Sequence, residues 1–546
     1  MNRPAVLQHA GRLLVELLAS NGVTRAFCVP GESFLPALDA FFDSAGITMI
    51  SCRQEGGAAM MAEAYARITG QPAACFVTRG PGVSNAMAGV HVAAQGSTPL
   101  LLVVGEIQRG SRDREAWQEI DVRAMFARHV KWVAEVDDAT RLEEYVGRAV
   151  RTATSGRPGP VVLGIPEDVF YQEVPLLAPR SVEPMEIAAS AVQLDQLCER
   201  VEQADNPLMI VGGGGWSEAV REDVEGFAQR FGVSLVTSFR REDYVDNLHP
   251  NYAGHANLGM NPELARRIRS ADLLLAFGTR LGDVATGHYT LVDVPRPKQM
   301  LIHVHASAEE LGRVYQPDLV ICASSSACAR ALAGRSPRRP VSADRRRAVE
   351  AAHRDYLAWS EPGTETRGRA LADSVAWLSR ELPPASTITN GAGNFSIWVH
   401  RFFRYRRFGA QLAPTSGSMG YGLPAAIAAR LAYPDRDVVC FAGDGGLLMT
   451  GQELATLAHY GLKIIVVVVN NGTYGSIRMH QERHYPGRRS GTDLTNPDFV
   501  AFARAFGFSG CRVESFAEFQ AAFEAARRGE SSAVIEMVMS ADVLKP

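Results

Sequence analysis

The 546 residues exceed what one hydrophobic core organises, and a formal net charge of −3 with 46% hydrophobic and 21% charged residues describes an ordinary globular chain. So small a charge on so large a body gives no reason to expect nucleic acid or an anionic membrane as partner. The eight cysteines are scattered without a CxxC pair; they read as small buried hydrophobes in a reducing compartment, and with no apolar run of membrane-spanning length a cytoplasmic protein is expected.

Near the start, Leu7, Ala10, Leu14 and Leu17 form a helical stripe. Arg12 and Glu16 interrupt it, which is unlike a signal peptide, and Asn21-Gly22 ends it. Short β-branched runs then alternate with amphipathic helical stretches, the pattern of parallel βαβ layers. AFCV (26–29), ACFV (74–77), LLLVV (100–104), VVLG (161–164) and LMIV (208–211) are candidate strands. LLLAF (273–277), MLIHV from Met300, VVCF (438–441), IIVVVV (464–469) and AVIEM (533–537) continue the series. PLLAPRSVEP (175–184) and SPRRPVSADRRR (336–347) read as linkers, the arginines of the second as a solvated surface. The expected fold is therefore α/β, with three doubly wound parallel-sheet domains over 1–178, 188–335 and 348–546.

Candidate chemistry follows in chain order. VPGESF (29–34) places Glu32 just after a strand, where it is either a working carboxylate or a solvent-facing acid near a helix start. In SCRQEGGAAMMAEAYAR (51–67), Glu55 opens a helix, and by itself such a residue is usually a partner of the helix dipole. His91, in MAGVHVAAQG, reads as a core histidine. Arg109, Arg112 and Arg114 suit either a carboxylate clamp or a solvated loop. IVGGGGW (210–216) and FGTRLGD (277–283) are weak nucleotide signals.

The strongest signal lies in the third piece. GDGG at 443–446 follows one strand and Asn470-Asn471 follow the next, so both stand at carboxyl ends of buried parallel strands, where open α/β sheets bind ligands. Gly443, Gly445 and Gly446 let the backbone approach a bulky anion, with N–H groups at a helix start facing phosphate oxygens. Asp, Asn and a backbone carbonyl make a hard oxygen set of the kind that holds Mg²⁺ beside phosphate.

With that spacing, the chain resembles the thiamine-diphosphate enzymes. TSGSMGYGLPAAIAA (415–429), GDGGLLMTGQELATL (443–457) and VVNNGTYG (468–475) are similar to acetolactate synthase catalytic subunits in particular. The resemblance implies thiamine diphosphate and Mg²⁺, the metal held by Asp444, Asn471 and the carbonyl of Thr473. It implies that Gly417 carbonyl and Met419 N–H grip the aminopyrimidine while the Met419 side chain enforces a bent cofactor. Gly393 and Asn394 of NGAGNF (390–395), with Gly443, Gly445, Gly446, Tyr474 and Gly475, complete the implied cofactor set; Asn394 and Phe395 stand where Gln and His are common. Glu55 falls on the family's activating glutamate, which favours the imino tautomer of the pyrimidine so that its exocyclic nitrogen removes the thiazolium C2 proton. Gln54 and Gly56 depart from the common His and Gln, but the carboxylate is intact.

AWQEID (116–121) resembles the family's Phe-Gln-Glu segment, implying Trp117 and Gln118 near the substrate. Glu32 takes a place that is Gly in many acetolactate synthases and Asp in pyruvate decarboxylases. There it either relays a proton or repels a second 2-oxo acid. Family members often hold FAD without redox work in the central domain, yet Arg280-Leu-Gly-Asp283-Val departs from the family's Arg-Phe-Asp-Asp-Arg and weighs against it. The implied activity is decarboxylation of a 2-oxo acid with carboligation. The alternatives are a 2-oxo acid decarboxylase, a 2-hydroxyacyl lyase, or, less in keeping with intact Glu55, Asp444 and Asn471, a non-catalytic homologue. The resemblance further implies a homodimer or homotetramer with active sites at the subunit interface.

Overall fold

The computed structural model describes residues 7–176 and 178–546. Its alternating runs form three six-stranded parallel sheets flanked by helices, and one two-stranded antiparallel pair. β1 (Leu7–His9) belongs to that pair, so Leu7 is an exposed strand residue and the first helix begins only at Ala10. The first sheet comprises β2 (Arg25–Cys28), β3 (Thr48–Ser51), β4 (Ala73–Thr78), β5 (Leu100–Glu106), β6 (Trp132–Glu135) and β7 (Val161–Pro166), in the order β3-β2-β4-β5-β7-β6. β8 (Glu173–Pro175) then closes against β1.

The central sheet is built from β9 (Pro207–Val211), β10 (Ser234–Thr237), β11 (Tyr252–His255), β12 (Leu273–Phe277), β13 (Met300–His305) and β14 (Leu319–Cys322), ordered β11-β10-β9-β12-β13-β14. The third uses β15 (Thr387–Asn390), β16 (Gln411–Leu412), β17 (Val438–Gly443), β18 (Ile465–Asn470), β19 (Ser509–Val513) and β20 (Ala533–Val538), ordered β16-β15-β17-β18-β20-β19. Helices cover both faces, so central strands such as β5 and β12 are buried along their whole length and read as unbroken apolar runs.

Polar strands are the ones that runs of apolar residues do not reveal. β15 reads TITN, yet every residue is buried, because the Thr387 and Thr389 hydroxyls donate to the carbonyls of Gly409 and Gly422. The second expected linker is also part helix. Ser342 caps a helix over Ala343–Trp359, and Arg345 is buried instead of solvated, its guanidinium donating to the carbonyls of Phe231 and Glu202. His91 departs from expectation as well, lying on the exposed face of the helix Arg79–Gly96. All eight cysteines are free thiols. Among the described residues no helix is long and apolar enough to cross a membrane.

Two compact units result. One joins the first sheet to the segments Leu423–Tyr433 and Thr450–Leu462; the other contains the central and third sheets.

Candidate active site

In the third sheet, the loops that follow β15, β16, β17 and β18 meet at the carboxyl ends of the strands. Gly443 ends β17 and Asp444 opens the short helix Asp444–Leu447, leaving the carboxylate 4% exposed. Asp444 Oδ2 accepts the Gly472 N–H at 2.9 Å and the Asn496 side-chain amide at 2.8 Å. Burial raises its pKa above the ordinary carboxylate value, and only amide hydrogen bonds oppose that rise. The same two donors reach Asn470 Oδ1 at the end of β18, so the turn 470–473 is folded onto Asp444. Asn471 Oδ1 accepts the Thr473 N–H at 3.2 Å, and the Thr473 carbonyl accepts that of Gly475 at 2.8 Å, keeping a second lone pair.

Glycines form the floor. A Cβ on Gly443 or Gly393 would meet the Phe395 ring at about 3 Å, and one on Gly445 the Tyr474 ring at 2.7 Å. Gly393 holds φ +147° and Gly417 φ +72°, conformations a side chain resists. Ala392 N–H donates to the Ser418 carbonyl, joining the NGAGN turn to the loop of Gly417 and Met419, while the Met419 methyl approaches Gly446. Asn394 is bound on both sides of its amide, donating to the Leu544 carbonyl and accepting from Ser476, next to Gly475. Among the described residues no three His, Cys, Asp or Glu side chains converge as a metal site. A divalent ion here would rest on one carboxylate with amide and main-chain oxygens, and that hard set, over a backbone open to a bulky anion, fits Mg²⁺ with a diphosphate.

In the first domain, Glu55 begins the helix Glu55–Thr69 just after edge strand β3, and Gln54 caps that helix. Glu55 Oε2 accepts the side-chain amide of Asn85 at 2.9 Å. Asn85 sits on the helix Arg79–Gly96, which packs so closely on the Glu55 helix that a Cβ on Gly89 would overlap Ala59. From the other side, buried Glu453 accepts the main-chain N–H groups of Arg53 and Gln54 at 3.0–3.3 Å, fixing the turn that presents Glu55.

Glu32 is neither free nor simply solvated. It ion-pairs at 3.0 Å with Arg79, whose other terminal nitrogen holds Glu167 at 2.8 Å. Arg79 is 9% exposed, has φ +44° at the end of β4, and lies 5.5 Å over the ring of Trp117, which is otherwise open to solvent. Such a left-handed arginine persists only when its surroundings over-determine it, as functional sites do. Gln118, also left-handed at φ +65°, accepts the Gly80 N–H through its carbonyl. Arg109 is engaged by Asp168, and Arg112 by Glu106 and Asp137.

Thus the third domain gathers Asp444, Asn471, Thr473, Gly393, Asn394, Gly443, Gly445, Gly446, Tyr474, Gly475, Gly417 and Met419. In the first, Glu32 and Gln118 flank Arg79 at the start of the helix Arg79–Gly96, and Glu55 reaches the same helix at Gly82 and Asn85. Sequence reasoning passed over Asn85, Asn496, Glu453 and Arg79; Glu453 lies inside GDGGLLMTGQELATL, whereas Asn85, Arg79 and Asn496 stand outside the segments singled out above. The glycine run of the central domain is taken up by packing: a Cβ on Gly213 would fall on the Gly278 carbonyl, and Trp216 donates to the Gly212 carbonyl while stacking on Tyr244.

Three family profiles match the chain. The thiamine pyrophosphate enzyme N-terminal TPP binding domain matches 8–125, the central domain 194–332, and the C-terminal TPP binding domain 391–537. An acetolactate synthase large subunit from Parasynechococcus marenigrum is 33% identical over 94% of this chain and 84% of its own length. The acetolactate synthase isozyme 2 large subunit of Escherichia coli is 30% identical over 94% of this chain and 92% of its own. Acetolactate synthase 1, chloroplastic, of Nicotiana tabacum is 29% identical over 94% and 79%.

Proposed function

Since this chain belongs to the thiamine pyrophosphate enzyme family and is acetolactate synthase-like, we propose that it decarboxylates a 2-oxo acid such as pyruvate and joins the retained fragment to a second carbonyl. Bound thiamine diphosphate supplies the carbon nucleophile and electron sink. The observation that carries this reading is Asp444: a buried carboxylate held only by amide N–H groups, over a glycine floor at the carboxyl ends of β17 and β18. Asp444, Asn471 and the Thr473 carbonyl hold Mg²⁺, and Gly443, Gly445, Gly446, Gly393, Asn394, Tyr474 and Gly475 receive the diphosphate. Gly417 and Met419 orient the pyrimidine. Glu55 holds a proton at the pyrimidine nitrogen, with Asn85 and Glu453 keeping its carboxylate in place. Trp117 and Gln118 face the substrate.

The assembly is a cytoplasmic homodimer or homotetramer, the first domain of one subunit meeting the third domain of the next. Exposed Leu448, Met449 and Ile477, close in sequence to the metal residues, supply apolar surface suited to a covering partner. The central glycines, taken up by protein packing, favour a central domain without flavin. A second reading, a decarboxylase or lyase, is favoured by Glu32: it is more than half exposed on Arg79, and a carboxylate beside the substrate would return a proton where the joining step puts a carbon. Purified protein with thiamine diphosphate, Mg²⁺ and pyruvate or a panel of 2-oxo acids separates these outcomes. Acetolactate-type products support the carboligase, aldehyde alone supports the second reading, and no CO₂ from any 2-oxo acid contradicts both.

A further inference from the structure

A second feature of the first domain lies where β5, β7 and β6 end. Glu106 of β5 and Glu135 of β6 project on either side of Gly164 in β7, and a Cβ on Gly164 would fall on the Glu106 carboxylate. A glycine in the intervening strand thus makes room for two acids. Arg112 is stretched among three carboxylates, at 3.2 Å from Glu106, 3.6 Å from Glu135 and 2.8 Å from Asp137. Arg123 adds a contact to Glu135 at 3.5 Å. Two guanidiniums therefore serve three acids.

The deficit falls on Glu106, which is 6% exposed and whose Oε1 is buried without a hydrogen-bond partner. Such a group is costly unless something pairs with it. Glu106 and Glu135 line a cavity of about 290 Å³ whose wall also includes Gln118 and Arg79, and five carboxylates against three arginines surround it. The excess of acceptors over donors, with one buried carboxylate oxygen unmet, is complementary to a ligand bearing N–H groups and positive charge.

We propose that this cavity binds a small organic cation, an alkylammonium or guanidinium, whose N–H groups complete Glu106 and Glu135. The cavity shares Gln118 and Arg79 with the candidate active site, whereas Glu106 and Glu135 take no part in the reaction proposed above, so cation binding is measured without cofactor or 2-oxo acid. Burial, reinforced by neighbouring Glu135 and opposed by Arg112, pushes the Glu106 carboxyl up to about 7. Arg112, Arg123 and Asp137 surround the pair, and Arg79, Asp113, Glu119 and Asp121 complete the charged lining of the cavity. The cation thus competes with a proton, and its affinity falls as pH drops through about 7.

Calorimetric titration of the full chain, in a buffer free of amines, with butylammonium, methylguanidinium and acetate tests this. Saturable binding of the two cations but not of acetate is expected, weakened at least tenfold in Glu106→Gln and at lower pH. Glu135→Gln, at a more open position, should also weaken binding severalfold and carries the test if Glu106→Gln fails to fold. Absence of saturable binding by either cation, unchanged affinity in a folded variant, or tighter binding of acetate overturns the proposal.

Discussion

The first and third sheets string their six strands in the same order, an inner pair flanked by a reversal, and fill the point of reversal in opposite ways. Between the ends of β2 and β4 the first sheet places a closed polar lock: Glu32 on Arg79, with the Ser33 and Thr78 hydroxyls bonded beneath them. Between β15 and β17 the third sheet has Gly391, Gly393 and Gly443, with main-chain groups in reach and one buried carboxylate beside them. In the first domain the carboxylate proposed above as the activating group, Glu55, stands outside this reversal, after edge strand β3. One strand order therefore serves two tasks, and the residues at the reversal decide which. Glycines open it to a large anion, whereas an ion pair fills it. The central sheet runs β11-β10-β9-β12-β13-β14 and fills its glycine turns with its own Trp216 and Gly278.

The sharpest way to break this contrast is at the open reversal. Asp444→Ala should lose cofactor binding that depends on Mg²⁺ altogether, so the thermal stabilisation that thiamine diphosphate with Mg²⁺ gives the wild type vanishes in the variant. An equal shift in both proteins would remove Asp444 from the metal site. At the displaced carboxylate the effect should be kinetic. Glu55→Gln is expected to retain the cofactor while slowing deuterium exchange at its C2 by about a hundredfold or more, the scale of positioned acid–base help.

A smaller effect is expected one layer back. Glu453→Gln replaces a charged acceptor of two main-chain amides, costing about 1.5–3 kcal/mol of stability by denaturant titration and slowing C2 exchange less than Glu55→Gln does. An unchanged midpoint would show that the turn before Glu55 is held by other means. The mildest change belongs to the closed reversal. The Glu32–Arg79 pair is more than half exposed on its acidic side, so Glu32→Gln should alter stability by less than about 1 kcal/mol. Its expected signature is a different ratio of joined to simple decarboxylation product; an identical ratio would leave Glu32 without a part in selecting the outcome.

Much of this was legible in the residues. The unbroken apolar runs announced β5, β12 and β18 because both of their faces are covered, and GDGG with Asn470-Asn471 marked adjacent strand ends. The supporting shell was not. Glu453 lies about 400 residues from the amides it holds, and Asn496 reaches Asp444 from 52 residues away. Neither distance leaves a spacing pattern, and a lone Asn or Glu carries no signal of burial. β15 escaped notice for the related reason that its buried threonines find carbonyl partners only in the folded chain. Arg345 looked solvated amid its neighbours, whereas the carbonyls that bury it belong to residues more than a hundred positions earlier.

The central claim is that the activating carboxylate of one subunit and the metal residues of another serve a single cofactor. Refolding Glu55→Gln together with Asp444→Ala tests it directly. In a mixed dimer one site carries both lesions and the other neither, so random pairing should restore about a quarter of wild-type activity from two inactive proteins. Mixed dimers that demonstrably form and remain as inactive as either parent would contradict the shared site.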